Sequence, residues 1–209
     1  MSSTTPDVES QAMHDHSTRF QFGTPIGVDF GRRQLIAAAP ATVGADLDGA
    51  ITIGNRKVED HYATLQERHE GGALADVGDD VLAAQLNAVL TATAHEALAY
   101  AQSFDSPPML ALEDLDYAER SLAECVTEGR GPDCWLFPGL QERLIEAARA
   151  AGIPIAFVSK KYTTKECHVC GMHSKVRDQR LSCTNERCPV ETACRDRSAA
   201  ATIAKRLAN

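Results

Sequence analysis

Four cysteines within 22 residues constrain this chain more than any other feature of its sequence. Two residues separate Cys167 from Cys170, four separate Cys183 from Cys188, and 12 lie between the two pairs. Two turns of this kind supply the four thiolates of a tetrahedral Zn²⁺ site, with Zn–S bonds of about 2.3 Å. Because four protein ligands leave no open position, we expect a structural zinc that folds a segment with few apolar residues.

The second cysteine pair is wider than the usual spacing of two residues, so Cys194 or His168 is an alternative for one of the four ligands. The remaining cysteines are scattered along the chain. No stretch approaches the roughly 20 apolar residues of a membrane span, and the polar start of the chain lacks a signal-peptide pattern. The sequence therefore predicts a cytoplasmic protein without a membrane partner, whose cysteines bind metal rather than form disulfides.

Charge is distributed unevenly along the chain. Residues 1–150 carry a net charge of −14 and residues 151–209 a net charge of +6, whereas the whole chain carries −8. Binding to nucleic acid usually rests on Lys and Arg side chains that neutralise phosphates, so the basic part is where such a partner would bind. Seven basic residues lie in or next to the cysteine-rich segment: Lys160, Lys161, Lys165, Lys175, Arg177, Arg180 and Arg187. They form either a phosphate-contacting surface or ordinary solvated charge.

The spacing of apolar residues predicts the order of helices and strands. Alternation at Ile26, Val28 and Phe30 predicts a strand with Asp29 on its opposite face. After a helical region broken by glycines, spacings of three and four over residues 82–97 predict a long helix. The other predicted elements are strands at 33–39, 50–53, 109–112 and 153–158, a loop at 117–133, and helices over 136–147 and from about 196. This succession is typical of a mixed-sheet α/β fold.

Three carboxylates stand at the ends of these predicted elements. Asp29 lies between two glycines in the first strand, Glu113 ends the strand at 109–112, and Asp196 opens the last helix. Each alone is ordinary, because strand-end acids are usually solvated and an Asp at a helix start is usually a cap. Together they supply the hard oxygen ligands, from separate elements, that a two-metal phosphodiester nuclease needs.

Several motifs resemble those of the TnpB (OrfB) proteins of transposons, which are relatives of the type V CRISPR effector nucleases. The sequences GVDFG at 27–31, LEDL at 112–115 and RDRSAA at 195–200 are similar to the three RuvC motifs of that family. The segments at 135–140, 152–155 and 162–171 resemble the bridging helix, the following strand and the ribbon entry. The resemblance runs from about Thr24 to the end of the chain.

The resemblance implies an α/β, RNase H-like (RuvC) mixed sheet flanked by helices, with an inserted zinc ribbon. The implied organisation is a disordered lead-in at 1–22, a core at 23–161, the ribbon at 162–193 and the last core helix at 194–209. The implied activity is Mg²⁺-dependent hydrolysis of DNA in transposition and recombination, with Asp29, Glu113 and Asp196 holding two Mg²⁺ ions. The implied partners are DNA, a guide RNA, and a partner chain that supplies recognition.

The chain also departs from the family pattern. Cys194 and Ser198 stand where the family usually has Asp and Asn, and the loop from the last zinc cysteine to Asp196 is longer. Family members carry a large N-terminal half that binds guide RNA and target DNA, whereas this chain has only the predicted lead-in of about 22 residues there. We therefore expect a fragment, a decayed copy or a core that works with a partner chain. The alternative to an active nuclease is a truncated, non-cleaving nucleic-acid-binding protein or an inactive relic.

Overall fold

The computed structural model describes residues 23–32, 34–54, 57–73, 77, 80–115 and 120–208. The predicted lead-in at 1–22 lies outside them. The strands are β1 (Pro25–Phe30), β2 (Ile36–Pro40), β3 (Ile51–Ile53), β4 (Met109–Asp114), β5 (Ile155–Ser159), β6 (Lys175–Arg177), β7 (Arg180–Ser182) and β8 (Thr192–Cys194). The helices are α1 (Lys57–Glu70), α2 (Val81–Gln102), α3 (Leu122–Thr127), α4 (Asp133–Ala150) and α5 (Arg195–Ala208).

Five strands form the main sheet, in the order β3-β2-β1-β4-β5. The first three strands pair antiparallel, while β4 is parallel to both β1 and β5. The parallel pairs need long crossovers, and helices α1 to α4 supply them. The mixed sheet flanked by helices that the sequence predicts is therefore confirmed.

The first face of the main sheet carries the large apolar core. Ile26 and Val28 of β1 and Leu110 and Leu112 of β4 are at most 1% exposed. Facing them, α2 and α4 bury aliphatic side chains at spacings of three and four: Leu86, Leu90, Leu136, Leu140 and Leu144. Their removal from water is the main force that holds these helices to the sheet.

The second face of the main sheet carries small side chains. Gly27 of β1 pairs with Ala39 of β2 and with Ala111 of β4. A Cβ atom added to Gly27 would lie 2.0 Å from the carbonyl oxygen of Ala200 and 2.4 Å from the amide nitrogen of Ala204. Only glycine therefore allows the backbone of α5 to lie directly on β1.

The segment predicted as a loop at 117–133 contains a helix, so that prediction is wrong. Helix α3 begins with a capping box, in which the Ser121 hydroxyl accepts from the Glu124 amide and the Glu124 carboxylate accepts from the Ser121 amide. This reciprocal pair satisfies two amides at the start of the helix. Leu122 and Val126 then reach the core, which stabilises the short helix in spite of its charged sequence.

One pair of cysteines contradicts the expectation that none forms a disulfide. Cys125 of α3 and Cys134 of α4 are disulfide-bonded, with Cα atoms 6.3 Å apart. The short connection from α3 to α4 brings the two residues within the reach of a disulfide, which requires Cα atoms less than about 7 Å apart. The bond ties α3 to the first turn of α4.

The second sheet is small and lies in the cysteine-rich segment. Strands β6, β7 and β8 pair antiparallel in that order. Strand β8 ends at Cys194 and α5 begins at Arg195, so the ribbon leads without a linker into the helix that packs on β1. None of the helices in the described ranges has the length and apolar character that a bilayer crossing requires.

Candidate active site and metal centre

Asp29 and Glu113 lie at the ends of two neighbouring parallel strands. The register pairs Val28 with Leu112, so the next residues, Asp29 and Glu113, follow side by side. Alternation along each strand places both carboxylates on the face opposite the large apolar core. This is the face on which α5 packs.

Asp196 reaches the same place from α5. It lies in the first turn of the helix, where the positive end of the helix dipole favours a carboxylate. Farther along the helix, Ala200 and Ala204 lie against Gly27, two residues before Asp29, and this contact fixes how closely α5 lies on β1. The sequence pattern GVDFG therefore does two things: it provides the carboxylate and clears the space for its partner helix.

The three carboxylates are buried, with 5% exposure for Asp29, 8% for Glu113 and 3% for Asp196. Burial raises the pKa of Asp29 well above its ordinary value of 3.8, and the negative charges of Glu113 and Asp196 raise it further. Burial also raises the pKa of Glu113, against the opposing effects of a hydrogen bond from Thr163 and of nearby Arg206 and Lys160. Charges that destabilise one another in this way favour a bound cation.

Two neighbours of the carboxylates were missed by sequence reasoning. The buried Thr163 hydroxyl donates to Glu113 Oε1. The Arg195 guanidinium binds Asp196 Oδ1 through Nε at 2.8 Å and Nη2 at 2.7 Å. Both residues lie inside motifs that carried the family resemblance, but spacing alone gives no sign of these contacts.

The carboxylates are less tightly gathered than the cysteines. Within the described ranges, only the cysteine cluster forms a group of three or more metal ligands whose ligand atoms all lie within 4.8 Å of one another. The ligand oxygens of Asp29, Glu113 and Asp196 do not all lie within that distance of one another.

A four-cysteine centre lies in the ribbon. The sulfur atoms of Cys167 and Cys188 are 3.7 Å apart, and those of Cys170 and Cys183 are 3.5 Å apart. Zn–S bonds of about 2.3 Å in a tetrahedron place sulfur atoms about 3.8 Å apart. A turn closed by the hydrogen bond from the Gly171 amide to the Cys167 carbonyl, at 2.8 Å, shapes the first knuckle. The cluster could hold one zinc ion.

Neither alternative ligand belongs to this centre. Cys194 is a free cysteine outside the cluster. His168 is buried, and its Nε2 lies 3.2 Å from the Gly44 carbonyl while its Nδ1 lies 3.0 Å from the Ser198 hydroxyl. Burial lowers the pKa of His168, so the ring is neutral, donates from Nε2 and accepts from Ser198. His168 thus joins the ribbon to α5 and to the loop after β2.

A cavity of about 500 Å³ opens beside Asp196. Its wall includes Phe30 and Arg32 at the end of β1, Phe137 of α4, and Asp178 and Gln179 of the ribbon hairpin. Arg32 is fixed at this place by a bidentate ion pair with Asp133, with both contacts at 2.6 Å. The core and the ribbon therefore both contribute to the approach to the carboxylates.

Comparison with known proteins agrees with this architecture. Residues 137–203 match the family model "Cas12f1-like, TNB domain". The structure resembles a Cas12f1–sgRNA–target DNA complex (TM-score 0.62, 16% identity, 87% of this chain and 49% of that chain). It also resembles a CRISPR-Cas12f ternary complex, with a TM-score of 0.56 and 15% identity over 87% of this chain and 38% of that chain. A third similar structure is the mini RNA-guided endonuclease CRISPR-Cas_phi3, with a TM-score of 0.56 and 14% identity over 90% of this chain and 45% of that chain. No curated protein sequence matches the chain.

These likenesses define the class of protein. The chain shares its fold with part of the Cas12f and Cas_phi structures, of whose chains it spans half or less. The matched TNB domain covers residues 137–203, and together with these shared folds it supports the resemblance to TnpB and Cas12-like proteins that the sequence motifs indicate.

Proposed function

We propose that this chain is a Mg²⁺-dependent endonuclease that hydrolyses phosphodiester bonds of DNA. The observation that carries the proposal is the convergence of Asp29, Glu113 and Asp196 on one face of the sheet, from two parallel strand ends and one helix start. The solved structures that it resembles include complexes with sgRNA and target DNA. DNA is therefore the proposed substrate, and an RNA that guides it is a proposed second partner.

The three carboxylates would hold two Mg²⁺ ions. When bound, the ions would supply an activated water and stabilise the leaving 3′-oxygen. Asp29 would be a ligand together with Glu113 and Asp196, whose negative charges both act on it. Thr163 and Arg195 would orient Glu113 and Asp196 through the hydrogen bonds described above.

The four cysteines would hold a structural zinc ion. The distances between their sulfur atoms support this role, and four ligands leave no position for substrate. The ribbon would then be a rigid wall of the cleft, carrying Asp178 and Gln179 to the cavity beside Asp196.

The test is cleavage of end-labelled single-stranded and duplex DNA by the purified chain with Mg²⁺, with and without RNA that co-purifies with it. Asp29→Asn and Glu113→Gln should each abolish cleavage. Asp114→Asn is the matched control, because it removes the exposed carboxylate next to Glu113 and should leave the rate unchanged. Cleavage by Asp29→Asn at the wild-type rate would exclude this active site.

The second candidate is a nucleic-acid-binding protein that does not cleave. The observation in its favour is that Asp196 is engaged by Arg195 and Glu113 by Thr163, so two of the three carboxylates have protein partners. Binding of DNA without cleavage, in the presence of Mg²⁺ and of bound RNA, would support this candidate over the nuclease.

A further inference from the structure

A second cavity lies beside the one at Asp196. Its volume is about 680 Å³, and it shares Arg32, Glu59 and Gln179 with the first cavity. We call it the outer cavity, and its remaining wall consists of Gln34, Thr52, Cys194 and Arg197. The two cavities form one groove that runs from Asp196 across the start of α5 towards the edge strand β3.

The outer cavity presents hydrogen-bond donors that the fold does not use. Within the described part of the chain, Arg197 is half-buried and its guanidinium makes no ion pair or hydrogen bond. The side-chain amides of Gln34 and Gln179 likewise have no hydrogen-bond partner there. Glu59, the acid of the wall, forms no ion pair with Arg197, so this guanidinium is available to an anion, because burying a charge without a partner is costly.

The wall also has the charge and size that suit a nucleotide. Its charged side chains are Arg32, which is paired with Asp133, Arg197 and Glu59, so Arg197 is the one cation of the wall without an ion-pair partner among the described residues. A guanidinium fork matches the oxygens of a phosphate, and a glutamine amide can form two hydrogen bonds with the edge of a base. Cavities that bind small molecules have volumes of about 300–1,000 Å³, which includes this one.

We propose that the outer cavity binds the nucleotide next to the scissile phosphate, with Arg197 on a phosphate and Gln34 and Gln179 on the base. This inference rests on the proposed nuclease function, because it takes the carboxylates to be the place of cleavage. The strand would enter along the groove, and the cavity would set which phosphate lies over Asp196. Arg197 and the two glutamines are then positioning and specificity residues rather than catalytic ones.

The experiment measures binding without cleavage. A fluorescein-labelled single-stranded oligodeoxynucleotide is titrated, by anisotropy, with the Asp29→Asn chain in Ca²⁺. When Arg197→Gln is introduced into this Asp29→Asn chain, binding should weaken about fivefold or more. The slope of log K against log salt should fall by about 0.7, which is the value for one phosphate contact on a single strand. Arg149→Gln is the matched control, because it removes the same charge from the last turn of α4 and should change neither quantity.

A second variant tests the cavity without removing the arginine. Cys194→Asp adds a negative charge to the wall and should also weaken binding, while thermal melts show that each variant is folded. Wild-type affinity in both Arg197→Gln and Cys194→Asp, or no binding by the parent chain, would overturn the proposal. Failure of the nuclease proposal gives a different result: no cleavage by the wild type, but weaker binding in the two variants.

Discussion

The main sheet and the ribbon sheet are stabilised in different ways. The large, fully buried side chains lie around the main sheet and include Tyr62, Leu86, Leu110 and Leu140. In the ribbon, over residues 162–194, the buried hydrophobic side chains are Cys167, Leu181 and Val190. Four of the six large hydrophobics that the described ranges leave exposed also lie there: Tyr162, Val169, Met172 and Val176. The core can fold by burying apolar surface, whereas the ribbon buries little, and a metal ion bound by its four cysteines would supply the missing stability.

The two regions meet at α5. This helix starts where β8 ends, yet its residues Asp196 and Ser198–Ala204 are buried in the core. The first turn of α5, which carries Asp196, is therefore positioned from both sides. The ribbon sets where the helix begins, and Gly27 sets how closely it lies on β1.

The largest expected effect tests whether the ribbon depends on metal. The double variant Cys167→Ser, Cys183→Ser should lose its zinc, and with it a folding contribution on the order of 10 kcal/mol for the ribbon. Amides of residues 162–194 should then exchange hydrogen rapidly, while those of α2 and α4 stay protected. Elemental analysis and regional hydrogen exchange measure the two outcomes.

Cys194→Ser provides the control for this prediction, since Cys194 lies outside the cluster. It should retain one zinc ion per chain. If the double variant still binds zinc, these cysteines do not organise the ribbon.

The next effect tests whether close packing holds α5 to the core. Gly27→Ala places a methyl group against the backbone of α5 and should lower the free energy of unfolding by about 3 kcal/mol. Gly131→Ala is the matched control, because an added Cβ there meets nothing within 4 Å. Denaturant titration gives both values. Equal stabilities for the two variants would mean that α5 can move away from β1 at little cost.

The core elements were predictable because alternation along β1 and the spacing along α2 reflect burial on a single face. The proximity of Asp29 and Glu113 could also be predicted. Each lies at the end of a predicted strand, and the family pattern places these two strands side by side. Helix α3 was missed although its capping box, Ser121 followed by Glu124, was visible in the sequence.

Other features of the structure could not be predicted from the local sequence. The Cys125–Cys134 pairing depends on how α3 and α4 pack, which spacing does not determine. His168 was an alternative zinc ligand because the second cysteine pair is wider than the usual spacing. Its real partner at Nε2 is the carbonyl of Gly44, 124 residues away in the chain. Contacts of this kind follow from the tertiary fold rather than from any motif.

The third effect tests the junction between the two regions. His168→Ala leaves the buried Ser198 hydroxyl and the Gly44 carbonyl without their partner and should cost about 2 kcal/mol. Ser198→Ala should cost less, and the double variant should be more stable than the sum of the single effects predicts, with a coupling of about 1 kcal/mol. Urea titrations of the four proteins complete the cycle. Additive effects would mean that the ribbon and α5 are not joined through this bond.

The smallest expected effect is the pH dependence of stability that the buried carboxylates cause. The pKa of Asp29 is raised in the folded chain, so between the ordinary value of 3.8 and the raised value the folded chain holds a proton that the unfolded chain has lost. Without divalent ions, stability should therefore rise as the pH falls through this window, by at most about 1.4 kcal/mol per pH unit. Asp29→Asn should remove this part of the slope and be more stable than the wild type above the window, where the wild type carries a buried charge.

Glu113 titrates in the same direction and its charge is coupled to that of Asp29, so the difference between the two proteins measures Asp29 together with its effect on Glu113. Mg²⁺ should stabilise the wild type above the window and act much less on Asp29→Asn, because the ion offsets a repulsion that the variant lacks. Thermal melts at fixed high ionic strength, with pH and Mg²⁺ varied, separate this effect from general screening. The exposed-acid variant Glu70→Gln should respond to Mg²⁺ as the wild type does. If Mg²⁺ stabilised Asp29→Asn as much as the wild type, the ions would bind elsewhere on this acidic chain. The core would then not carry the functional face that the ribbon is proposed to support.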